Sequence, residues 1–278
     1  MNEEEAKLKT TLLHLRAGRK GTGDDLHPEQ LLPDMLNHIG STDPELRDDL
    51  IYSTICRWTK QRNISPEAMR RLLVSAMDED HLFFGIGEKG TDSVFTRSFS
   101  ALILPVAVYM HKQTPFLQKD ELQAMKTKLI QYLDSEEDLR GYVEGKGWAH
   151  AAAHAADGIE SLAGLEPMTG SDLLRMLEAI RNKVCIGSYL YVNDEDERFA
   201  DAAAVILMRN ALADDDIADW ICKIAYVPLA GSMTENETLR ANTKHFLRSL
   251  YFKMLKEPEL LKYSSFLLKQ LNERDRYA

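Results

Sequence analysis

Apolar residues recur at spacings of three and four along almost the whole chain, which is the pattern of amphipathic helices. Proline directly after Asp43 and after Ser65 marks the first turn of two of these helices, and Thr169 and Thr234 precede others. Strand-like alternation is confined to residues 185–192 (CIGSYLYV), a candidate short strand. The pattern therefore predicts an all-α protein.

The predicted helices recur with a period of about 50 residues. Equivalent positions are occupied by Arg47, Arg97, Gly147 and Arg198, at separations of 50, 50 and 51 residues. A second amphipathic helix precedes each of the last three positions and is followed by an acidic connector. Neither helix of such a pair buries its apolar face alone, so repetition at this period favours a HEAT-like α-solenoid of stacked antiparallel helix pairs. A plain helical bundle is the alternative.

The repeats organise the whole chain. We expect a single α-helical repeat domain over residues 1–278, with N-terminal cap helices in 1–42, helix-pair repeats in 43–228 and C-terminal cap helices in 229–278. The best candidate for a linker is Lys20–Leu26 (KGTGDDL), between an N-terminal helix and the repeats.

The charge balance limits the classes of partner, and the cysteines indicate the cellular compartment. The chain has 34 Lys and Arg against 44 Asp and Glu, a net charge of −10, and no cluster of basic residues that would bind phosphates. This balance disfavours nucleic acid and favours protein, peptide or cationic partners. No segment reaches the roughly 18 apolar residues of a membrane span, and the acidic start Met1–Glu5 is unlike a secretory signal. Cys56, Cys185 and Cys222 are odd in number and widely spaced, which is typical of reduced thiols rather than of a disulfide framework. We therefore expect a cytoplasmic protein.

The third repeat departs from the others. It reads Trp148-Ala-His150-Ala-Ala-Ala-His154-Ala-Ala-Asp157. On a helix turning by about 100° per residue, His150, His154 and Asp157 fall within an arc of about 60°. Exposed helix stripes are usually rich in Lys, Arg and Glu, whereas this one has two imidazoles and one carboxylate. Because the alanines allow close approach of neighbouring helices, we expect this helix to be largely buried.

We predict that the stripe faces a polar groove on the concave side of the solenoid. The groove would bind a protein or peptide partner or a small ligand. Ser100 and Asp201 are included because they take the place of His150 in neighbouring repeats. The predicted lining residues are Ser100, Glu144, Trp148, His150, His154, Asp157, Arg198 and Asp201.

Two other interpretations of the stripe stay open. In one, the imidazoles brace the repeat junction by hydrogen bonding to connector carboxylates or main-chain carbonyls. In the other, His150 and His154, four residues apart, bind a metal ion, with zinc as the candidate, in a metal-dependent hydrolase. The catalytic Glu of the H-E-x-x-H motif is missing, because Ala151 follows His150. We therefore expect binding rather than catalysis, assign no catalytic residue, and expect no cofactor besides that candidate zinc.

The stretch Gly85–Gly90 spells G-x-G-x-x-G, the pattern of a dinucleotide-binding loop. That function needs a preceding strand and a βαβ unit, which the helical pattern does not supply. The next connector, Gly141–Gly147, is also rich in glycine. Both segments are therefore interpreted as loops between helices.

Three segments together carry a resemblance to a known family: residues 97–102 (RSFSAL), the string from Gly147 to Asp157 with both histidines, and Asp194–Arg198. Over about residues 95–208 the chain resembles the bacterial domain-of-unknown-function family 2785. That family typically has Gly where Ala155 or Ala156 stands here. The resemblance implies a cytosolic bacterial protein with an all-helical repeat fold and no established activity.

Overall fold

The computed structural model describes residues 2–17 and 27–274, so the predicted linker Lys20–Leu26 lies outside the described residues. The prediction of an all-α protein is confirmed, since helices make up most of the described chain. The α-helices are α1 (Glu3–Arg16), α2 (Pro28–Asn37), α3 (Ser53–Lys60), α4 (Pro66–Ala76), α5 (Ser93–Ala101), α6 (Ile103–Gln113), α7 (Lys119–Ser135), α8 (Ala151–Ala163), α9 (Gly170–Val184), α10 (Glu195–Met208), α11 (Asp214–Ala225), α12 (Met233–Met254) and α13 (Leu261–Arg274). A 3-10 turn, Pro258–Leu260, precedes the last of them.

Local sequence sets several helix starts. The Ser65 side chain accepts a hydrogen bond from the first turn of α4, as an N-cap residue does. Before α9, Thr169 and Asp172 form a reciprocal capping box, and Ser232 and Glu235 form another before α12. These side chains satisfy main-chain N–H groups that a helix leaves unpaired at its N-terminus.

Strand pairing occurs where the helical pattern predicts a helix start. Residues 185–192 are irregular, whereas β1 (Tyr142–Val143) and β2 (Gly147–Trp148) pair in an antiparallel hairpin with Tyr142 opposite Trp148. Gly145 and Gly147 have φ values of 74° and 79°, which glycine adopts without a steric penalty. The glycines of this connector therefore make a tight hairpin turn.

The helix that contains Arg47 begins with a rare feature. Residues Glu45–Tyr52 form a π-helix, with hydrogen bonds from residue i to i+5, and lead directly into α3. Arg47 is completely buried, although the chain carries few other charged side chains in its core.

Main-chain contacts group the chain into two compact units. The first unit contains Met1–Lys128 and Ser135–His154, and the second contains Leu129–Asp134 and Ala155–Ala278. In the first unit, α4 packs against α2 and α6, and α3 packs against α6. In the second, α10 packs against α9 and α12, and α11 packs against α9 and α13. In both units a helix therefore contacts the second helix along the chain as well as a neighbouring one.

Two apolar segments form much of the core. The alanines of α8 are buried, which confirms that the Ala-rich helix lies in the interior. In the part of the chain that the structure describes, one stretch, Ser93–Gln113, is long and apolar enough to cross a membrane. Within it, 72% of an 18-residue window is buried in the fold, as expected for core helices such as α5 and α6.

Candidate functional site

A buried guanidinium group in the first unit holds the β-hairpin in place. Arg47 Nη2 donates hydrogen bonds to the main-chain oxygens of Lys146, at 2.8 Å, and Trp148, at 3.3 Å. The rings of Phe95 and Phe99 lie 4.4 and 4.7 Å from the guanidinium carbon. A cation placed against aromatic rings and bonded to carbonyl oxygens has little freedom to move. The hairpin strand β2 is therefore fixed from its buried side.

The carboxylate beside this guanidinium belongs to Asp48, which is half-buried. Asp48 accepts hydrogen bonds from Arg47 Nε at 2.9 Å and from Nη2 at 3.4 Å. Burial raises the pKa of Asp48, and the positive charge of Arg47 opposes that shift. Burial likewise lowers the pKa of Arg47. The pair thus joins a fully buried guanidinium group to a carboxylate that is partly exposed.

His150 follows the hairpin in a left-handed backbone conformation, with φ of 50°. The prediction that it lies within the Ala-rich helix is wrong by one residue, because α8 begins at Ala151. Its N–H donates to the oxygen of Arg140, and its own carbonyl accepts from the N–H of His154. The imidazole stacks on the Trp148 ring, with centroids 4.5 Å apart and an angle of 22°. Side chains that the helical pattern separates are therefore in face-to-face contact.

A buried serine orients the second imidazole. The Ser98 hydroxyl donates to the oxygen of Ala149 and lies 2.7 Å from Nδ1 of His154. A hydroxyl has one hydrogen to donate, so Ser98 accepts from Nδ1–H, and Nε2 carries the lone pair when His154 is neutral. A nucleophilic serine would instead give its proton to the imidazole. Ser98 is thus a positioning residue for His154.

Four side chains form what we call the aromatic–imidazole cluster: Tyr142, Trp148, His150 and His154. The Tyr142 and Trp148 rings meet edge to face at 5.1 Å, and the two imidazoles at 5.8 Å. Trp148 is 40% exposed, and Tyr142 is also exposed. Such a cluster can stack against a flat group, and its imidazoles can hydrogen-bond to a ligand or bind a metal ion.

Residues 2–17 and 27–274 contain no group of three or more His, Cys, Asp or Glu side chains placed to hold a metal ion. A metal ion on His150 and His154 would therefore need further ligands from water or from a substrate.

The other predicted lining residues lie in different surroundings. In the first unit, Glu144 is exposed in the hairpin turn, and Ser100 is fully buried with no hydrogen-bond partner for its hydroxyl among the described residues. In the second unit, Asp157 accepts a hydrogen bond from Arg198 at 3.0 Å, and Asp201 pairs with a lysine of α12 at 2.7 Å. The structure thus brings Trp148, His150 and His154 together, and the wider groove stays a prediction.

Arg97, the equivalent of Arg47 in the next repeat, is also fully buried, which the helical pattern did not predict. Arg97 donates to both carboxylate oxygens of Glu136, at 2.7 and 2.9 Å, and both side chains are buried. Its Nη1 donates to the main-chain oxygens of Phe84 and Gly85. The conformation of the Gly85–Gly90 loop is therefore held by hydrogen bonds from a guanidinium group. The signal was present in the sequence, because Arg97 lies 50 residues after Arg47.

Comparison with known proteins gives one match. A family model described as protein of unknown function (DUF2785) matches residues 82–252, more than half of the chain. The matched range contains the whole aromatic–imidazole cluster and Ser98, whereas Arg47 lies before it. No curated protein and no solved structure matches the chain.

Proposed function

Because the chain belongs to the family of proteins of unknown function DUF2785, we propose a function from the site itself. The protein is a binding module, and its ligand contacts the aromatic–imidazole cluster. The observation that carries this proposal is Trp148, which is exposed to solvent yet stacked on His150 at 4.5 Å. Exposed tryptophan is frequent at binding sites, because its ring offers a large rigid contact area.

The surroundings of the cluster support binding because they hold it rigid. Arg47 fixes the main chain of Trp148, and Ser98 fixes the ring and tautomer of His154. His150 has a left-handed backbone, which costs a non-glycine residue roughly 1–3 kcal/mol and is concentrated at functional sites. A site whose side chains are already ordered loses less entropy when a ligand binds.

The ligand that suits this surface has a flat or apolar group for Trp148 and a polar group for the imidazoles. We infer a peptide side chain or a small molecule, in a groove of the first unit that also includes Glu144. The net charge of −10 favours protein, peptide or cationic ligands over nucleic acid, and no membrane partner is proposed.

We also propose that the helices form a HEAT-like solenoid in a cytoplasmic bacterial protein. Packing of several helices against the second helix along the chain, such as α4 against α6 and α10 against α12, supports stacked helix pairs. The three cysteines form no disulfide, which supports a reducing compartment.

Tryptophan fluorescence tests the binding proposal. Trp58 and Trp220 are buried, so acrylamide quenching reports mainly on Trp148. A library of small molecules and short peptides is screened by thermal shift, and we expect hits to protect Trp148 from acrylamide. Trp148→Ala and His150→Ala should weaken binding about tenfold or more, a loss of about 1.4 kcal/mol. Tyr109→Ala, which removes another exposed ring of the first unit, should bind normally. Hits that bind all three variants equally would place the binding site elsewhere.

A second candidate function is metal-dependent hydrolysis. The observations that favour it are the 5.8 Å separation of the two imidazoles and the Ser98 contact that leaves the lone pair on Nε2 of His154. Elemental analysis of protein purified without a His tag should then find stoichiometric zinc, lost in a His150→Ala/His154→Ala variant that still folds. If no metal is found and that variant loses several kcal/mol of stability, the imidazoles brace the fold instead.

A further inference from the structure

In the second unit an extended segment, residues 186–192, is fastened to α12 by one buried side chain. Asn242 Nδ2 donates to the oxygens of Ile186, at 3.0 Å, and Tyr189, at 2.8 Å, and its Oδ1 accepts from the N–H of Tyr191 at 3.1 Å. Tyr189 and Tyr191 are alternate residues, and the amide bonds to both of them as a neighbouring β-strand would, whereas Ile186 lies before the bend at residues 187–188.

The side chains of this segment alternate between the core and solvent. Tyr191 is buried, and its hydroxyl donates to the oxygen of Lys183 at 3.2 Å. On either side of it, Leu190 is 41% exposed and Val192 is 68% exposed. A period of two is the geometry of an extended strand, and here the outward positions are apolar.

One edge of the segment is open. In an extended chain the main-chain groups of successive residues point to opposite edges. Asn242 takes the edge of Tyr189 and Tyr191, so the N–H and C=O groups of Leu190 and Val192 belong to the other edge. Between residues 27 and 274, no hydrogen bond joins the main chain of either residue to another residue. Folded proteins usually protect such edges with charged residues or proline, and residues 186–192 (IGSYLYV) contain neither.

Acidic groups lie at both ends of the open edge. Asp194, two residues after Val192, is exposed. At the other end, a Cβ atom on Gly187 would lie 2.5 Å from the main-chain oxygen of Glu235 and 3.1 Å from its Cβ, so that acidic residue is in close contact with the segment. A partner strand with basic residues flanking an apolar centre matches this charge pattern.

We propose that residues 188–192 are a docking edge for an extended segment of a partner protein, which has alternating apolar side chains flanked by Lys or Arg and adds to the open edge as a β-strand. The main chain of Leu190 and Val192 supplies hydrogen bonds, their side chains supply apolar contacts, and Asp194 and Glu235 select the basic ends. The edge lies in the second unit and does not depend on the function of the aromatic–imidazole cluster.

Binding of a designed peptide to the full chain tests the proposal. The probe is a fluorescein-labelled peptide, Lys-Val-Thr-Val-Thr-Val-Lys, followed by fluorescence anisotropy. Two further peptides carry N-methyl groups on one or the other set of alternate amides, so that each loses the donors of one edge. We expect one methylated peptide to bind about tenfold more weakly and the other to bind within about twofold of the parent. A peptide with Glu at both ends should also bind about tenfold more weakly, and added salt should reduce the difference.

Protein variants give a second measurement. Leu190→Ser/Val192→Ser should lose peptide binding, while Val74→Ser, which changes a 64% exposed valine on α4, should not. Circular dichroism checks that the double variant folds, and the methylated peptides need no variant. The proposal is overturned if both methylated peptides bind like the parent, if the acidic peptide binds equally well, or if no peptide binds. It is also overturned if the wild-type chain dimerises through this edge, shown by a Val192→Lys variant that sediments as a monomer.

Discussion

Arginine side chains at equivalent positions of the 50-residue pattern differ in burial and in hydrogen-bond partners between the two units. In the first unit, Arg47 and Arg97 are fully buried, and each bonds to main-chain oxygens of a glycine-rich connector. In the second unit, Arg198 is 52% exposed and pairs with Asp157. The position within the repeat therefore does not determine whether the arginine side chain is buried. Burial depends on whether a connector supplies carbonyl oxygens that surround the guanidinium group.

The difference shows that connectors of one chain are fastened in different ways. Guanidinium groups hold Gly85–Gly90 and Gly141–Gly147, whereas the amide of Asn242 holds residues 186–192. The connector between α6 and α7 uses an imidazole, since His111 Nδ1 accepts from two main-chain N–H groups. A different side chain thus holds each connector by hydrogen bonds, and each of these side chains can be substituted separately.

The largest expected effect comes from Arg97→Met. It removes both bonds from Arg97 to the buried Glu136 carboxylate and the bonds to the oxygens of Phe84 and Gly85. Breaking a buried ion pair typically costs about 3–5 kcal/mol. Urea unfolding followed by circular dichroism measures the loss. The matched change Arg198→Met should cost less than about 1 kcal/mol, and equal losses for the two variants would remove the distinction between the units.

Asn242→Leu should have the next largest effect. The substitution removes the partner of the buried N–H of Tyr191 and of two partly buried oxygens, those of Ile186 and Tyr189, so we expect a loss of roughly 2–3 kcal/mol. Hydrogen exchange should be faster for the N–H of Tyr191 than in the wild type. Asn182→Ala, at an exposed position, is the control and should change stability by less than about 0.5 kcal/mol. Unchanged exchange at Tyr191 would show that other contacts hold the segment.

A double-mutant cycle on Arg198 and Asp157 should give a coupling energy below about 1 kcal/mol, because both side chains reach solvent. Salt should reduce it further. The measurement is the urea midpoint of Arg198→Ala, Asp157→Ala and the double variant at low and high ionic strength. A coupling as large as that of Arg97 with Glu136 would contradict the comparison.

The smallest effect is a pH dependence from His111. Burial lowers its pKa below the ordinary value of about 6.5, and protonation of Nδ1 would remove both bonds to the connector. A lowered pKa means that the unfolded chain binds the proton more readily. The stabilisation is therefore present above about pH 6.5 and is lost as the pH falls through the lowered pKa. His111→Gln should reduce the slope of urea midpoint against pH between about pH 7 and 5. A slope identical to that of the wild type would exclude His111 as the cause.

The sequence pattern predicted the helices, the buried Ala-rich helix and the glycine connectors, because these depend on local periodicity and capping residues. It misplaced His150, whose conformation depends on a hairpin that Arg47 holds from about 100 residues away. Ser98 was missed for a similar reason, since a serine in an apolar helix gives no sign that it meets His154. The recurrence of Arg47 and Arg97 was visible, but a charged residue in an amphipathic helix is normally exposed.

The π-helix Glu45–Tyr52 has a consequence for the evolution of this chain. A π-helix holds one more residue in its hydrogen-bonded turn than an α-helix does. Loss of a single residue within it would restore α-helical bonds and rotate everything before the deletion by about 100° relative to α3. Arg47 would then turn away from the oxygens of Lys146 and Trp148. The extra residue of the π-helix thus helps to fix the conformation of a hairpin about 100 residues later in the chain. Within the π-helix, deletions should therefore be rarer than substitutions.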